Sequence, residues 1–302
     1  MNLKKLTKPQ LRRVARKVGV QVTSTERKSD ILKKLIAPLG HYSMMGDLPG
    51  DVIRNYIGPG LDRVSLANLL HTSAENRDLL IDELESRRFR ADNSTFKMAV
   101  DDYLENQIKA TEVYGPISSW DVSRVTDMSM AFYYAGFFNA DLSNWDVSSV
   151  TDMKAMFFGA TSFNGDLSTW NVSQVTDMTE MFNGAIHFNG DLSNWDVHSV
   201  TNMRSMFYSA GSFNGDLSRW DVSQVTDMSF MFGGARSFNA DLSNWDVNQV
   251  TDMFNMFNGA ISFNANLSNW NVNNETDKTN MFCGATSFIP SNAPWCNIDC
   301  FR

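Results

Sequence analysis

Seven acidic or amide side chains stand 25 residues apart in this 302-residue sequence: Asp121, Asp146, Asn171, Asp196, Asp221, Asp246 and Asn271. Carboxylates at a constant interval fall into a row when the backbone repeats. They then repel one another unless hydrogen bonds, a cation or a basic partner offsets the charge. Three readings stay open: solvated side chains bonded to neighbouring Ser or backbone N–H groups, a partner-facing ladder for a basic protein, or calcium ligation. The glycine-rich calcium-binding nonapeptide pattern is absent. Other chemistry-bearing residues are sparse. Of the four histidines, His187 and His198 occupy different offsets in the repeat and build no ladder. There is no phosphate-binding glycine loop and no Cys/His cluster with metal spacing, which predicts no enzymatic activity, no metal and no cofactor. The three cysteines fall in the last 20 residues. Cys296 and Cys300 read as a clasp or as two reduced thiols rather than a zinc site, since no fourth ligand and no nearby His accompany them.

The elements that must position these residues follow from the tryptophans. Trp120, Trp145, Trp170, Trp195, Trp220, Trp245, Trp270 and Trp295 are the only tryptophans, and all are 25 residues apart. The unit reads W-[DN]-V-x-x-V-T-[DN]-M-x-x-M-F-x-x-A-x-x-F-N-x-[DN]-L-S-x. Trp170 and Val172 alternate around Asn171, which predicts a short strand with one buried face. Met178, Met181, Phe182 and Ala185 fall at helical spacing, after Thr176-Asp177 as a helix start and with Gly184 near the end. One unit cannot bury its apolar side chains alone, whereas stacked units can. The expected fold is therefore a repeat solenoid, leucine-rich-repeat-like, with one short parallel strand and one helical turn per 25-residue coil. The Met and Phe stripes are its core, and the recurring Phe-Asn pairs supply an amide ladder between coils.

This repeat resembles that of the BspA-like leucine-rich-repeat surface-protein family, the 25-residue Mycoplasma-type repeat, over about residues 117–290. The resemblance implies a solenoid used for protein contacts, of a kind found in bacterial surface proteins, protists and large DNA viruses. Both ends of the array are expected to be capped. Ile117 fills the Leu position of an incomplete first coil, while Glu275, Lys278 and Asn292 replace Val, Met and Leu in the last coils. The chain before the array is expected to form one capping helix from Ser94 to Tyr114, which makes residues 96–116 the capping segment. Ala110 and Val113 fall there on the Ala and Phe positions of a preceding coil.

Charge separates the two ends. Residues 1–38 carry a net of +9 and residues 111–302 a net of −13, which suggests different partners for each. In residues 1–40 two short helices follow capping signals, one over residues 7–19 and one after Thr25-Glu26. Their basic faces hold Arg12, Arg13, Arg16, Lys17, Arg27, Lys28, Lys33 and Lys34. The pair resembles the SAP-like helix-extension-helix motif, which implies DNA or RNA binding through backbone phosphates. Residues 41–95 open with Leu48, Pro49, Val52, Ile53 and Ile57, and this L-P-x-[DE]-V-[IL] start is similar to an F-box. That similarity implies docking on the adaptor of a cullin-based ubiquitin ligase. The aromatic residue of the family's second half is missing from residues 71–77.

No stretch reaches the roughly 20 apolar residues a membrane span needs, and the N-terminus has no signal-peptide core. With so few cysteines this predicts an intracellular protein of cytoplasm or nucleus, including that of a virus-infected host, or a protein packaged in a virion. The leading expectation is an F-box-type scaffold whose solenoid (residues 117–302) recruits a ubiquitin-ligase substrate. The alternative is a structural, surface or virion assembly protein that uses the same solenoid for protein contacts.

Overall fold

The computed structural model describes residue 27 and residues 88–301, and the chain divides into two units, Met1–Phe89 and Arg90–Arg302. The SAP-like pair, Arg27 apart, and the F-box-like residues Leu48, Pro49, Val52, Ile53 and Ile57 lie outside the described residues. Arg27 itself is exposed.

The second unit opens with two helices, α1 (Asn93–Glu105) and α2 (Gln107–Tyr114). Asp92 starts α1 through a capping box: its carboxylate accepts from the Ser94 and Thr95 N–H groups, and Thr95 Oγ1 accepts from the Asp92 N–H. These bonds and those from the Ser94 and Thr95 hydroxyls hold Asp92 at a pKa of about 2. Phe96, Ala99, Val100 and Tyr103 form the buried stripe of α1 at helical spacing. Phe96 packs edge-on to Trp145, and Tyr103 edge-on to Trp120.

The single helix expected from Ser94 to Tyr114 is broken at Asn106. Its extended backbone ends α1, and its side chain caps α2 by accepting from the Lys109 N–H at 3.1 Å. A side-chain amide that competes for backbone groups favours such a cap over a helix interior. Ala110 is buried as its repeat position suggests, but Val113 is exposed.

From Trp120 onward the chain runs in seven 25-residue coils, opening at Trp120, Trp145, Trp170, Trp195, Trp220, Trp245 and Trp270. Each coil lies on the next in parallel register. The tryptophans form one column with ring centroids 6.1 to 6.5 Å apart and planes within 2 to 16°. Two phenylalanine columns run beside it. Phe157 and Phe182 are 5.6 Å apart in one, Phe163 and Phe188 are 5.9 Å apart in the other, and Phe157 lies 4.0 Å from Phe163 within its coil. Val, Met, Ala and Leu columns complete a core with almost no solvent access.

Polar ladders fasten the coils. Each inner Trp donates Nε1–H to a Leu carbonyl 28 residues earlier, as Trp195 does to Leu167 at 3.0 Å, and Ile117 plays the Leu part for Trp145. The Phe-Asn pairs link coils too, with the Asn189 N–H donating to Asn164 Oδ1 at 2.8 Å and the Asn214 N–H to Asn189 Oδ1 at 2.9 Å. These bonds give the buried indole N–H of each inner Trp a partner in the preceding coil.

Within a coil the local structure differs from the expected strand and helical turn. Among the described residues there is no β-strand, only isolated parallel bridges; those between coils lie at Asp127, Asp152, Asp177 and their equivalents, and the one bridge at a Trp-x-Val position joins Asp121 to Arg90 ahead of the first coil. Trp170 and Val175 instead donate to carbonyls three residues back, at Leu167 and Val172, so this segment closes on itself in turns.

The Met-x-x-Met-Phe segment is a ribbon of consecutive turns. In coil 3 the N–H groups of Met178, Glu180, Phe182 and Gly184 donate across to carbonyls of coil 4, while Met181, Asn183 and Ala185 donate three residues back. The tenth and fourteenth residues after Trp, such as Glu180 (φ 58°) and Gly184 (φ 71°), are left-handed. An α-helix would spend every N–H inside the coil. The turn ribbon directs every second one to its neighbour.

The last coil closes on itself. Glu275 stays exposed, and Thr276 is buried in place of the Val, its hydroxyl donating to Val250 O at 2.7 Å. Lys278 Nζ donates to the carbonyls of Asn273, Asn274 and Thr276, and Asn292 Nδ2 donates to Asn264 O. Cys296 and Cys300 form a disulfide, and Asp299 O and Cys300 O accept the ribbon N–H groups of Asn280 and Phe282.

Candidate functional site

The ladder after Trp lies on the surface. Asp146, Asn171, Asp196, Asp221, Asp246 and Asn271 are exposed, and Asp121 is half-buried beside Arg90, whose Nε is 3.7 Å from Asp121 Oδ2. Each side chain from Asp121 to Asp246 is engaged locally, its Oδ1 accepting the N–H two residues on. The donors include Ser123 at 3.2 Å, Ser148 at 3.1 Å, Ser173 at 3.1 Å and Ser223 at 3.0 Å. Asp196 also receives His198 Nδ1 at 2.8 Å. In the irregular last coil the turn moves from Asn271 to Asn273, which accepts from Glu275 N–H. These are Asx turns, the local bonding that short acidic side chains favour in loops. Hydrogen bonds from Ser223 hold Asp221 below the usual carboxylate range.

Two further ladders repeat this device. Asp127, Asp152, Asp177, Asn202, Asp227, Asp252 and Asp277 occupy the bridge positions, and each accepts from the N–H two residues on, as Asp177 does from Thr179 at 2.8 Å. Asp141, Asp166, Asp191, Asp216, Asp241 and Asn266 do the same for the Ser two residues before each Trp. The [DN] columns of the repeat already carried this signal. Only Thr176-Asp177 was read as a cap, and the recurrence of Ser two residues after Asp is what marks the turn.

Electrostatics differ along the bridge ladder. Burial would raise Asp127, but hydrogen bonds from Ser129 and the Lys97 ammonium, 3.3 Å away, hold it below its ordinary value. Burial raises Asp252, and the Asp227 and Asp277 carboxylates add to that. Among the described residues no three His, Cys, Asp or Glu side chains are grouped to hold a metal ion. His187 Nδ1 lies 2.7 Å from Thr161 O. No described helix is long and apolar enough to cross a membrane.

The turn ribbon carries the surface that the sequence reading missed. Tyr133 and Phe158 stack at 4.8 Å, with Tyr134 edge-on to Phe158 at 5.1 Å. Three coils away, Tyr208 meets Phe230 at 5.9 Å and Phe230 meets Phe254 at 5.2 Å, both edge-on, with the Arg204 guanidinium 6.0 Å from the Phe230 ring centre. A groove beside them is lined by Tyr208, Phe230, Arg236, Asn255, Asn258 and the backbone of Gly234 and Gly259.

In-register aromatic columns and polar ladders define a repeat protein. The chain belongs to the family described as Mycoplasma protein of unknown function, DUF285, a Mycoplasma-type repeat family with BspA-like surface repeats, whose model matches residues 102–218 and 190–295. The chain matches none of the curated proteins compared.

Proposed function

We propose that the protein is a non-enzymatic interaction scaffold, with its coils acting as a repeat solenoid for protein contacts. The observation that carries this reading is the continuity of the three aromatic columns, each coil hydrogen-bonded to the next. Such a stack holds surface side chains at a constant spacing on a stiff support, which lowers the ordering cost of binding. In the fuller form of the proposal, residues 41–95 dock an F-box adaptor through Leu48, Pro49, Val52, Ile53 and Ile57. The basic residues of the first 40 positions hold nucleic-acid phosphates, and the solenoid recruits the substrate.

Affinity purification of the full-length chain from its native cells tests this form. Recovery of ubiquitin-ligase adaptor subunits with the wild type, and their loss on changing Leu48 and Pro49 to Ala, supports it. Recovery of neither adaptor nor substrate rejects it. Duplex DNA or RNA binding that weakens steeply with salt, and disappears on reversing the charges of Arg12, Arg13, Arg16 and Lys17, supports the basic-end reading. Salt-independent binding rejects it.

One observation favours the alternative of a surface or virion assembly protein. The Cys296–Cys300 disulfide closes the last coil, and such bonds persist in oxidising surroundings. Thiol labelling of freshly isolated protein, mapped to each cysteine, decides the point: protection of Cys296 and Cys300 favours the assembly reading, and labelling of both favours the scaffold of a reducing compartment.

A further inference from the structure

We propose that the groove on the turn ribbon of coils 4 to 6 docks an acidic peptide segment through an apolar anchor residue; this rests on the reading of the chain as an interaction scaffold. The repeats themselves point to this face. Some surface columns are nearly constant, the first and seventh positions after Trp being Asp or Asn in every coil. The ribbon varies instead. Its ninth position is Lys154 in one coil, Arg204 in another and Phe254 in a third, and its thirteenth runs from Tyr208 to Gly233 in successive coils. Apart from Phe301, every aromatic residue of the array outside the buried columns lies between the ninth and seventeenth positions. From Trp120 to Trp270 the positions beside the Trp column vary among polar residues alone, so the ribbon is the variable face that bears aromatics, the residue type enriched at protein contacts.

The chemistry of the groove selects the occupant. Tyr208, Phe230 and Phe254 remain partly open to solvent and offer ring edges and faces to an apolar side chain. Gly233 makes room for the Tyr208 ring, because a Cβ at that position would come within 2.9 Å of Tyr208 Cδ2. Arg204 flanks the rings and Arg236 lines the groove, both exposed. Neither makes an ion pair with a described residue, and no carboxylate lines the groove, although the Asp252 charge is felt by Arg204. In an array with a net charge of −13, two guanidiniums at one aromatic groove form a local reversal of sign. Guanidinium groups take carboxylates in paired hydrogen bonds, and aromatic and Arg side chains are the usual anchors of protein contacts. Asn258 Nδ2 donates to Asn255 Oδ1 at 2.7 Å, which leaves the side-chain Asn255 Nδ2 as donor and Asn258 Oδ1 as acceptor for a peptide backbone.

The test is selection of a random peptide library displayed on phage against the full chain, with polygalacturonic acid as a competing acidic glycan. The expected result is enrichment of peptides with Asp or Glu beside an aromatic or aliphatic residue. Their binding should weaken about tenfold with Arg204→Gln or Arg236→Gln, the scale of losing one charge-assisted contact at an interface. Phe230→Ala should weaken it as well, whereas Arg124→Gln and Arg219→Gln should not. The Arg variants change exposed side chains, so an unchanged unfolding midpoint shows that the fold is intact. Enrichment of basic peptides, or binding indifferent to Arg204, Arg236 and Phe230, overturns the proposal. Displacement of the peptides by polygalacturonic acid, itself dependent on both arginines, would reassign the groove to an acidic glycan. Peptides insensitive to the groove but lost with Asp196→Asn and Asp221→Asn would reject the groove while retaining the scaffold reading.

Discussion

Phe213 lies between Phe188 and Phe238, at 5.9 and 6.0 Å, and against Phe207 of its own coil at 4.0 Å, with no solvent access. Rings above, below and beside it cannot close a gap without breaking the register of the whole column. Phe213→Ala should therefore cost about 3–5 kcal/mol, the range for large-to-small changes at sites that relax poorly. Urea unfolding measures it, and a loss below about 1 kcal/mol would show that the column is looser than its geometry.

The fourteenth position of each coil tests the turn ribbon. Ser209 adopts φ 55° where Gly184 and Gly259 adopt 71°. A left-handed conformation costs an L-residue about 1–2 kcal/mol, and glycine's extra freedom in the unfolded chain returns about 0.5–1 kcal/mol of that. Ser209→Gly should raise the unfolding midpoint slightly, and Gly184→Ala should lower it. Were this position inside a helix, both signs would be reversed, because glycine is the poorer helix former.

The aromatic and aliphatic columns were legible in the sequence, and so was the Asn189–Asn164 type of link. A residue that recurs every 25 positions without exception is held there by its equivalents. The path of the chain inside a coil was not. Met178, Met181, Phe182 and Ala185 match one face of a helix, but a ribbon with left-handed residues at Glu180 and Gly184 buries the same four. The discriminating signal was the glycine recurring at Gly159, Gly184, Gly234, Gly259 and Gly284, which a helix ending in each coil explains equally well. The ribbon aromatics escaped notice because Tyr208, Phe230 and Phe254 occupy different repeat positions, so an alignment by column separates what stacking brings together.

Thr179 gives a smaller test. Its hydroxyl is buried without a hydrogen-bond partner, whereas Ser129 and Ser229 at the same repeat position donate theirs to Asp127 and Asp227 at 2.6 Å. An unsatisfied buried hydroxyl costs about 1–3 kcal/mol, and valine matches the shape without the polar atom. Thr179→Val should stabilise the protein by about 1 kcal/mol, read from the urea midpoint at constant slope. A destabilised variant would mean that the hydroxyl is satisfied in solution.

Acid should separate the two kinds of ladder carboxylate. Hydrogen bonds from the neighbouring Ser residue lower Asp141, Asp166, Asp191 and Asp216 below 3.8 in the folded chain. Each contributes stability that is present above that ordinary value and is lost as the pH falls through the lower folded value, because the unfolded chain takes up the proton first. Asp252 has the opposite sign. Burial and the flanking Asp227 and Asp277 charges raise its pKa above 3.8, so its ionised form opposes folding at neutral pH, and protonation relieves that penalty on acidification. The sequence already contains the relevant control. Asn202 stands on the same ladder, and its Oδ1 accepts from Arg204 N–H at 2.9 Å as Asp252 Oδ1 accepts from Phe254 N–H at 2.8 Å, so an amide completes the turn without the charge. Asp252→Asn should raise the thermal midpoint at pH 7, and its advantage should shrink at pH 3. Asp191→Asn should lower the midpoint at pH 7 and reduce the further drop on acidification. An Asp252→Asn midpoint below the wild type at pH 7, or an advantage that persists unchanged in acid, would show that repulsion along the ladder is already screened by solvent.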